Sequence, residues 1–391
     1  MAKRIAEAIG QGRVMGSFVP AALKEKNRAT VYALLKSARD SSKADIARES
    51  GISAPTVIKI IDYFETLGIV DETGERAAAR GAEEASALGR PPQRLRFEPS
   101  AAFALGAEYD GVHLSVGVVD LAGGLRSLVK TAAPPQLGSL LSEKLEPTIG
   151  EALRSAGLER SSIVGLGLGI PGITDSDGRT LRFAPFVGLG KPFDCGPLLD
   201  ELEGRLGFPI LLENDANAAA LGEFAARGLG EEDDLLFAVL GRGLGAGLVL
   251  GGRLRTGPRS FAGEIGYLAF DPEWEARPDR PGWLEAETDL ASFWAEAEGP
   301  GGPSRAALER VASRVAMGLA NICIALDLER VVVGRANSEG FGPELLGLIE
   351  AKLTRLSVLG VACEGPSSPE PGVAGAAGLA LDKWLKGVFA G

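Results

Sequence analysis

The sequence contains one histidine, His113, and three cysteines among 391 residues. A single imidazole excludes a histidine-rich metal cluster and argues against a Ser-His-Asp triad. Because Cys195, Cys323 and Cys363 are odd in number and far apart, we expect reduced, structural thiols in a cytoplasmic protein. No apolar run is long enough to span a bilayer, and the N-terminal residues lack the apolar core of a signal peptide, so we expect no membrane association.

Charge is unevenly distributed along the chain. The formal net charge is −11, but residues 1–98 carry 16 basic and 13 acidic side chains, whereas the remainder carries 25 and 39. A mildly basic segment therefore precedes an acidic body that would repel phosphates. This split favours a DNA-binding domain over residues 1–98 and a separate ligand-binding or catalytic domain over residues 99–391.

The spacing of apolar residues in the first segment predicts three short helices. Residues 28–38 form the first and residues 43–50 the second. Gly51 can adopt a positive φ in the turn that follows, and Ser53 can cap the third helix, over residues 54–68. Helix, glycine turn and helix is the plan of a helix-turn-helix domain.

The third helix is predicted to read DNA with a polar face. Val57, Ile60 and Ile61 define its apolar stripe, which leaves Thr56 and Lys59 outward near its N-terminus. Ser53, Thr56 and Lys59 are therefore candidate DNA contacts. A small helical bundle without a ligand is the alternative.

Two short strands follow, as in a winged helix. Residues 69–70 and 95–97 read as strands around a polar loop that ends in Gly-Arg-Pro-Pro. Arg90 in this run is a candidate for the DNA minor groove. A stiff linker explains the same run equally well.

Beyond residue 99 the pattern becomes α/β. Residues 103–123 alternate as a β-hairpin, and residues 235–254 repeat the strand, glycine turn and strand. Because helical segments follow each hairpin, the sequence predicts a duplicated, two-lobed fold with a cleft, its second lobe beginning near residue 230. Other predicted elements are strands at 162–172, 210–215 and 330–334 and helices at 138–156, from 216, at 304–326 and at 373–388, the last returning to the first lobe.

Four motifs follow one another in this body: GIPG (169–172), ENDANAAALGE (213–223), GLGAGLVLGGRL (243–254) and GEIG (263–266). In this order they resemble the ROK family of repressors and sugar kinases, within the actin-like ATPase superfamily. NRATVYALLK and Gly-Arg-Pro-Pro resemble the heads of ROK repressors, so the resemblance covers nearly the whole chain. It implies a two-lobed α/β actin-like ATPase (sugar kinase) fold preceded by an α+β winged helix-turn-helix domain.

The resemblance implies an effector site of five side chains. Asp215 matches the base that takes a proton from a sugar hydroxyl in the kinases, and Asn214 precedes it in the same motif. Glu264 and Glu285 match glutamates that contact sugar hydroxyls, and Tyr267 replaces the histidine of a Glu-x-Gly-His motif. Two simpler interpretations stay open: Asn214 and Asp215 only cap a helix, and the glutamates are solvated loop acids.

The family's zinc site is lost in this sequence. The loop Cys-x-Cys-Gly-x-x-Gly-Cys-x-Glu aligns with residues 276–285, where Ala276, Pro278 and Trp283 stand at the cysteine positions. With Tyr267 at the histidine position, all four ligands are missing, and zinc needs thiolate or imidazole donors in a tetrahedral set. We therefore expect no metal, and we expect Trp283 and the prolines to stiffen and pack the loop.

The phosphate-binding segments of the family's kinases are also altered. Their Asp-x-Gly-Gly-Thr hairpin reads Glu108 to Val112 here, so Asp110 places a negative charge beside the phosphate position. The second loop, residues 241–245, lacks its usual hydroxyl pair, and Phe186 replaces a sugar-binding asparagine. Phosphoryl transfer depends on positioning and charge neutralisation, so we expect no enzyme activity and no cofactor.

Together these features predict a ligand-responsive transcriptional regulator, a repressor. It would bind double-stranded operator DNA through residues 1–98, called the head below. It would bind a sugar or sugar-like effector in the cleft of the two-lobed body. Because one short recognition helix gives little specificity, a homodimer or a dimer of dimers is expected. A sugar kinase with a DNA-binding head, and a regulator that senses a protein partner, are the alternatives.

Overall fold

The protein divides into two compact units. In the computed structural model, residues up to Ala101 form the first unit together with Lys383–Gly391, and Ala102–Asp382 form the second. The predicted positions Arg90, Phe186 and Pro278 lie outside the described residues. The described residues are 20–37, 41–76, 93–175, 177–183, 191–241, 243–277, 280–334 and 341–391.

Among its described residues, the first unit contains three helices and an antiparallel pair of strands, which confirms the predicted winged helix-turn-helix fold. Gly51 ends the second helix with φ of 69°, as predicted for the turn. The first helix begins at Pro20, eight residues before the predicted start. The sequence pattern missed this first part of the helix because residues 22–26 are exposed and carry no apolar periodicity. The elements are α1 Pro20–Ser37, α2 Lys43–Ser50, α3 Ala54–Thr66, β1 Val70–Arg76 and β2 Gln93–Phe97.

The first lobe of the second unit is built on a five-stranded sheet. Three strands form an antiparallel meander, and two further strands pair in parallel beside the first of them. Buried aliphatic side chains of these strands form the core of the lobe. The strands are β3 Phe103–Tyr109, β4 His113–Asp120, β5 Leu125–Ala132, β6 Ile163–Ile170 and β10 Ile210–Asn214, and a small separate sheet holds β7 Ile173–Thr174, β8 Thr180–Phe183 and β9 Phe193–Asp194.

The second lobe repeats this arrangement. Its sheet again has an antiparallel meander with two parallel strands beside the first meander strand. The equal topology confirms the duplication predicted from the two hairpin patterns. The strands are β11 Leu235–Leu240, β12 Leu244–Leu250, β13 Arg253–Leu254, β14 Arg330–Val333 and β15 Ala362–Glu364.

Helices pack against both sheets, and the predicted ones are all present. The segment predicted at 138–156 is helical in three consecutive pieces, Leu137–Ser139, Leu140–Leu145 and α4. No described helix is long and apolar enough to cross a membrane. The helices of the second unit are α4 Glu146–Ala156, α5 Gly196–Leu206, α6 Asp215–Ala226, α7 Trp283–Thr288, α8 Leu290–Ala297, α9 Arg305–Leu326 and α10 Gly342–Leu356, and α11 Pro371–Ala390 is divided between the units.

The three cysteines are free and buried, as expected for structural thiols. Burial raises the pKa of Cys195 and of Cys323 to about 11, and that of Cys363 to about 12. Thiols with such pKa values remain protonated and unreactive near neutral pH.

Candidate functional site

Three half-buried carboxylates, Asp215, Glu264 and Glu285, lie near one another in the second unit. Burial, and then the negative charges of Asp215 and Glu285, raise the pKa of Glu264 from 4.5 to about 7. Burial also raises the pKa of Glu285, although its Oε2 accepts a hydrogen bond from the Leu244 N–H at 3.2 Å. Ionised carboxylates accept hydrogen bonds and do not donate them, so the cluster suits a ligand rich in hydroxyl donors.

The junction of β10 and α6 positions Asp215. The Asn214 side chain caps α6, because its Oδ1 accepts a hydrogen bond from the Asn217 N–H at 3.0 Å. Its Nδ2 donates to the carbonyl of Gly172 at 3.0 Å. The capping interpretation therefore describes Asn214 well, and a ligand contact by this residue stays a prediction. Asp215, the first residue of α6, contributes its charge to the acidic cluster.

The loop that carries Glu264 and Tyr267 is held to β12. The N–H of Ala246 donates to the carbonyl of Gly263 at 2.8 Å, immediately before Glu264. The ring of Tyr267 packs edge-on against Phe261, with 6.4 Å between ring centroids. Burial and then the nearby glutamates raise the pKa of the Tyr267 phenol, which therefore keeps a proton to donate.

Tight packing holds the loop that aligns with the family's zinc loop. Trp283 is 7% exposed, lies edge-on to Phe270 at 5.6 Å, and has the Arg314 guanidinium 5.3 Å from its ring centroid. A Cβ atom at Gly282 would lie 2.3 Å from the carbonyl oxygen of Gly266, so only glycine allows this approach. The prediction that Trp283 packs this loop is confirmed.

The residues at the zinc positions do not fit that metal. Ala276 has no donor atom, and the indole of Trp283 offers only an N–H. The raised pKa of Tyr267 disfavours the phenolate that could bind a cation. Within the described ranges, no three His, Cys, Asp or Glu side chains are grouped so that they could hold a metal ion.

In the hairpin between β3 and β4, the side chain of Asp110 binds backbone N–H groups of the same turn, and we call this hairpin closed. The Asp110 carboxylate accepts hydrogen bonds from the N–H groups of Val112, at 2.9 Å, and His113, at 2.7 Å. These are donors that a hairpin of this kind would offer to a phosphate. Burial raises the pKa of Glu370, as does the charge of Asp110, while Lys130 opposes the shift. The proximity of Glu370 to Asp110 was not predicted from the sequence, because the two residues are distant in the chain.

Two of the predicted DNA contacts pair with each other at the start of α3. Ser53 precedes the helix, but its side chain makes no capping bond; its hydroxyl lies 2.8 Å from that of Thr56. The predicted side-chain cap is therefore wrong. The carbonyl of Ser53 instead accepts from the N–H groups of Thr56 and Val57. Lys59 is exposed on the same helix.

Replacing Glu264 with glutamine is expected to stabilise the protein above neutral pH. Because the folded-state pKa lies above the ordinary value, folding binds protons between pH 4.5 and about 7, and the free energy of unfolding falls as the pH rises through that window. Glutamine does not ionise, so the variant avoids this fall in the free energy of unfolding and should be more stable than the wild-type protein at pH 8 by on the order of 2 kcal/mol. Denaturant unfolding at pH 8 and pH 5 measures it.

Less than half of that gain should remain at pH 5, where Glu264 is protonated in the folded protein. The exposed Glu298→Gln variant is the matched control and should be neutral at both pH values. Equal gains at the two pH values would mean that Glu264 is not a buried, charge-crowded acid.

The sequence is similar to ROK repressors and to ROK sugar kinases. The sequence profile of the ROK family matches residues 105–280. The chain is 25% identical over 252 residues to the xylose repressor of Caldicellulosiruptor bescii, covering 64% of this chain and 60% of that protein. It is 32% identical over 169 residues to the glucokinase of Streptomyces coelicolor, covering 43% and 50%. Its matches thus cover only 50 to 60% of the length of such relatives.

Solved structures give the same fold. A ROK family transcriptional regulator, a homolog of the E. coli MLC protein, matches with a TM-score of 0.70 and 19% identity, over 94% of this chain and 98% of that one. A ROK family glucokinase from Streptomyces griseus in complex with glucose and AMPPNP matches with a TM-score of 0.57 and 25% identity, over 71% and 99%. The chain has the actin-like sugar-kinase fold of these proteins, and its residues 105–280 match the ROK family profile.

Proposed function

We propose that the protein is a transcriptional repressor whose affinity for operator DNA changes when a sugar binds in the cleft. The observation that carries the proposal is that the β3–β4 hairpin is closed by Asp110 while the acidic cluster is retained. The Asp110 carboxylate accepts hydrogen bonds from the Val112 and His113 N–H groups, which a nucleotide phosphate would need as donors. Asp215, Glu264 and Glu285 still lie near one another. Sugar recognition is thereby kept without a phosphate site.

The head supports the DNA-binding part of the proposal. The first unit has a helix-turn-helix followed by an antiparallel pair of strands, and α3 carries Thr56 and Lys59 near its N-terminus. The relatives named xylose repressor and the ROK regulator structure favour the same function. The protein would bind its operator as a homodimer, so that two α3 helices read paired half-sites.

An unphosphorylated sugar or polyol is the proposed effector. Asp215, Glu264 and Glu285 would accept hydrogen bonds from its hydroxyls, and Tyr267 would add a phenol and an aromatic face. Negative charges in a half-buried cluster would repel a sugar phosphate. A thermal-shift screen of pentoses, hexoses, amino sugars and their phosphates identifies the ligand. Stabilisation by phosphates alone would contradict this ligand class.

The glucokinase relatives make a sugar kinase the second candidate, and we expect it to fail. Turnover of ATP with a panel of hexoses and pentoses should be the same for the wild-type protein and for Asp215→Asn, because the phosphate donors are already occupied. A ROK glucokinase assayed in parallel is the positive control. Turnover that depends on Asp215 would establish the kinase instead.

A further inference from the structure

The C-terminal end of α11 is part of the DNA-binding unit. Residues Lys383–Gly391 cluster with the head. The ring of Phe389 lies 5.6 Å from that of Tyr32 and 6.5 Å from that of Phe64. Phe64 is buried on α3, so the helix proposed to read DNA shares its core with the end of α11.

Polar contacts fix the same helix end. The buried guanidinium of Arg28 donates to the carbonyls of Val388, at 3.0 Å, and Phe389, at 3.1 Å, and it lies 3.9 Å from the centroid of the Tyr63 ring. The hydroxyl of Tyr63, also on α3, donates to the Val388 carbonyl at 3.1 Å. Lys24 donates to the carbonyl of Gly391 at 2.7 Å. A cation at the last carbonyls of a helix is favourable, so the head holds the end of α11 specifically.

The beginning of α11 is packed against α6 without intervening side chains. A Cβ atom at Gly375 would lie 1.8 Å from the carbonyl oxygen of Ala218, and one at Gly222 would lie 1.9 Å from that of Pro371. Backbone therefore lies on backbone, and no flexible side chain can absorb a displacement of either helix. The first residue of α6 is Asp215, one turn before Ala218.

We propose that α11 carries the effector signal from the cleft to the DNA-binding unit. Ligand contact at Asp215 would displace α6, the backbone contact would pass this displacement to α11, and the fixed end of α11 would pass it to α3. This inference rests on the proposed function. It adds to that function the path of the signal through α11. It predicts that a flexible break in α11 leaves sugar binding and operator binding intact but removes the effect of the sugar on operator affinity.

The test inserts Gly-Ser-Gly-Ser between Asp382 and Lys383, two exposed residues of α11. Operator affinity and sugar affinity should each stay within about threefold of wild type, while the sugar-induced change in operator affinity falls from tenfold or more to under twofold. The same insertion between the exposed Gly301 and Gly302 is the control and should leave the response intact. A full response from the α11 insertion would overturn the proposal.

A milder pair of variants decides the matter if the insertion abolishes operator binding. Replacing Asp382 and Lys383 with two glycines loosens the helix, whereas replacing them with two alanines preserves it. The glycine variant should lose at least half of the response that the alanine variant keeps, and equal responses would overturn the proposal. Failure of the proposed function would be visible separately, in a wild-type protein whose operator affinity no sugar changes.

Discussion

Replacing Lys59 with glutamate is expected to weaken operator binding about 100-fold at physiological salt, because a dimer would lose two phosphate contacts and gain two repulsive charges. Lys59 is exposed on α3, where the helix-turn-helix fold presents side chains to the major groove. Fluorescence anisotropy with duplex DNA from the promoter of the protein's own operon measures the loss.

The milder Lys59→Ala variant separates a phosphate contact from damage to the fold. It should lower the slope of log affinity against log salt by about one for each lost contact, and it should weaken binding to all sequences alike. The exposed Lys144 of the second unit provides the control, since Lys144→Glu should leave the affinity unchanged. Unaltered affinity and slope in Lys59→Ala would place the DNA contacts elsewhere on the head.

At pH 8, where the Glu264 carboxylate is ionised, replacing Glu264 with alanine is expected to lower the affinity for the effector by about 10- to 100-fold, because hydrogen bonds to charged groups contribute about 1.5–3 kcal/mol. The operator affinity without effector should stay the same, because Glu264 lies in the second unit and α3 in the first. Calorimetric titration with the sugar found by screening gives the affinity, and anisotropy gives the response.

The exposed Glu298→Ala variant is the matched control for this loss. It removes an acid of the same charge from the same unit and should bind the effector as the wild-type protein does. If Glu264→Ala retains both effector affinity and response, the carboxylate cluster is not the ligand site.

The two-lobed fold could be predicted from the sequence because its signal is repeated. The hairpin patterns at 103–123 and 235–254 became equivalent meanders, each with two parallel strands beside its first strand. The alternation of apolar residues depends only on burial of one or both faces of a strand, which is a local property. The turn at Gly51 was predictable for the same reason.

The candidate site was predictable only in part. The motif around Asp215 and the positions of Glu264 and Glu285 identified the acids, but the pKa of Glu264 depends on its burial and on two charges that are distant in the chain. The replacement of Ser53's cap by a hydroxyl pair with Thr56 depends on side-chain rotamers that sequence spacing does not determine.

Contacts between distant segments were beyond the sequence patterns. The carboxylate of Asp110 was expected to repel a phosphate, and the structure shows in addition that it binds the hairpin's own N–H groups. Nothing in the spacing of residues 383–391 connects them with Arg28 or Tyr63, more than 320 positions earlier. Such pairings are set by the folded topology.

The affinity of the wild-type protein for its operator, with and without a saturating sugar from the screen, tests the proposed function most directly. A sugar-responsive repressor should change its operator affinity at least tenfold, a coupling of about 1.4 kcal/mol, and by thermodynamic linkage the operator should change the sugar affinity by the same factor. An operator affinity that stays constant with every sugar that binds the cleft would contradict it.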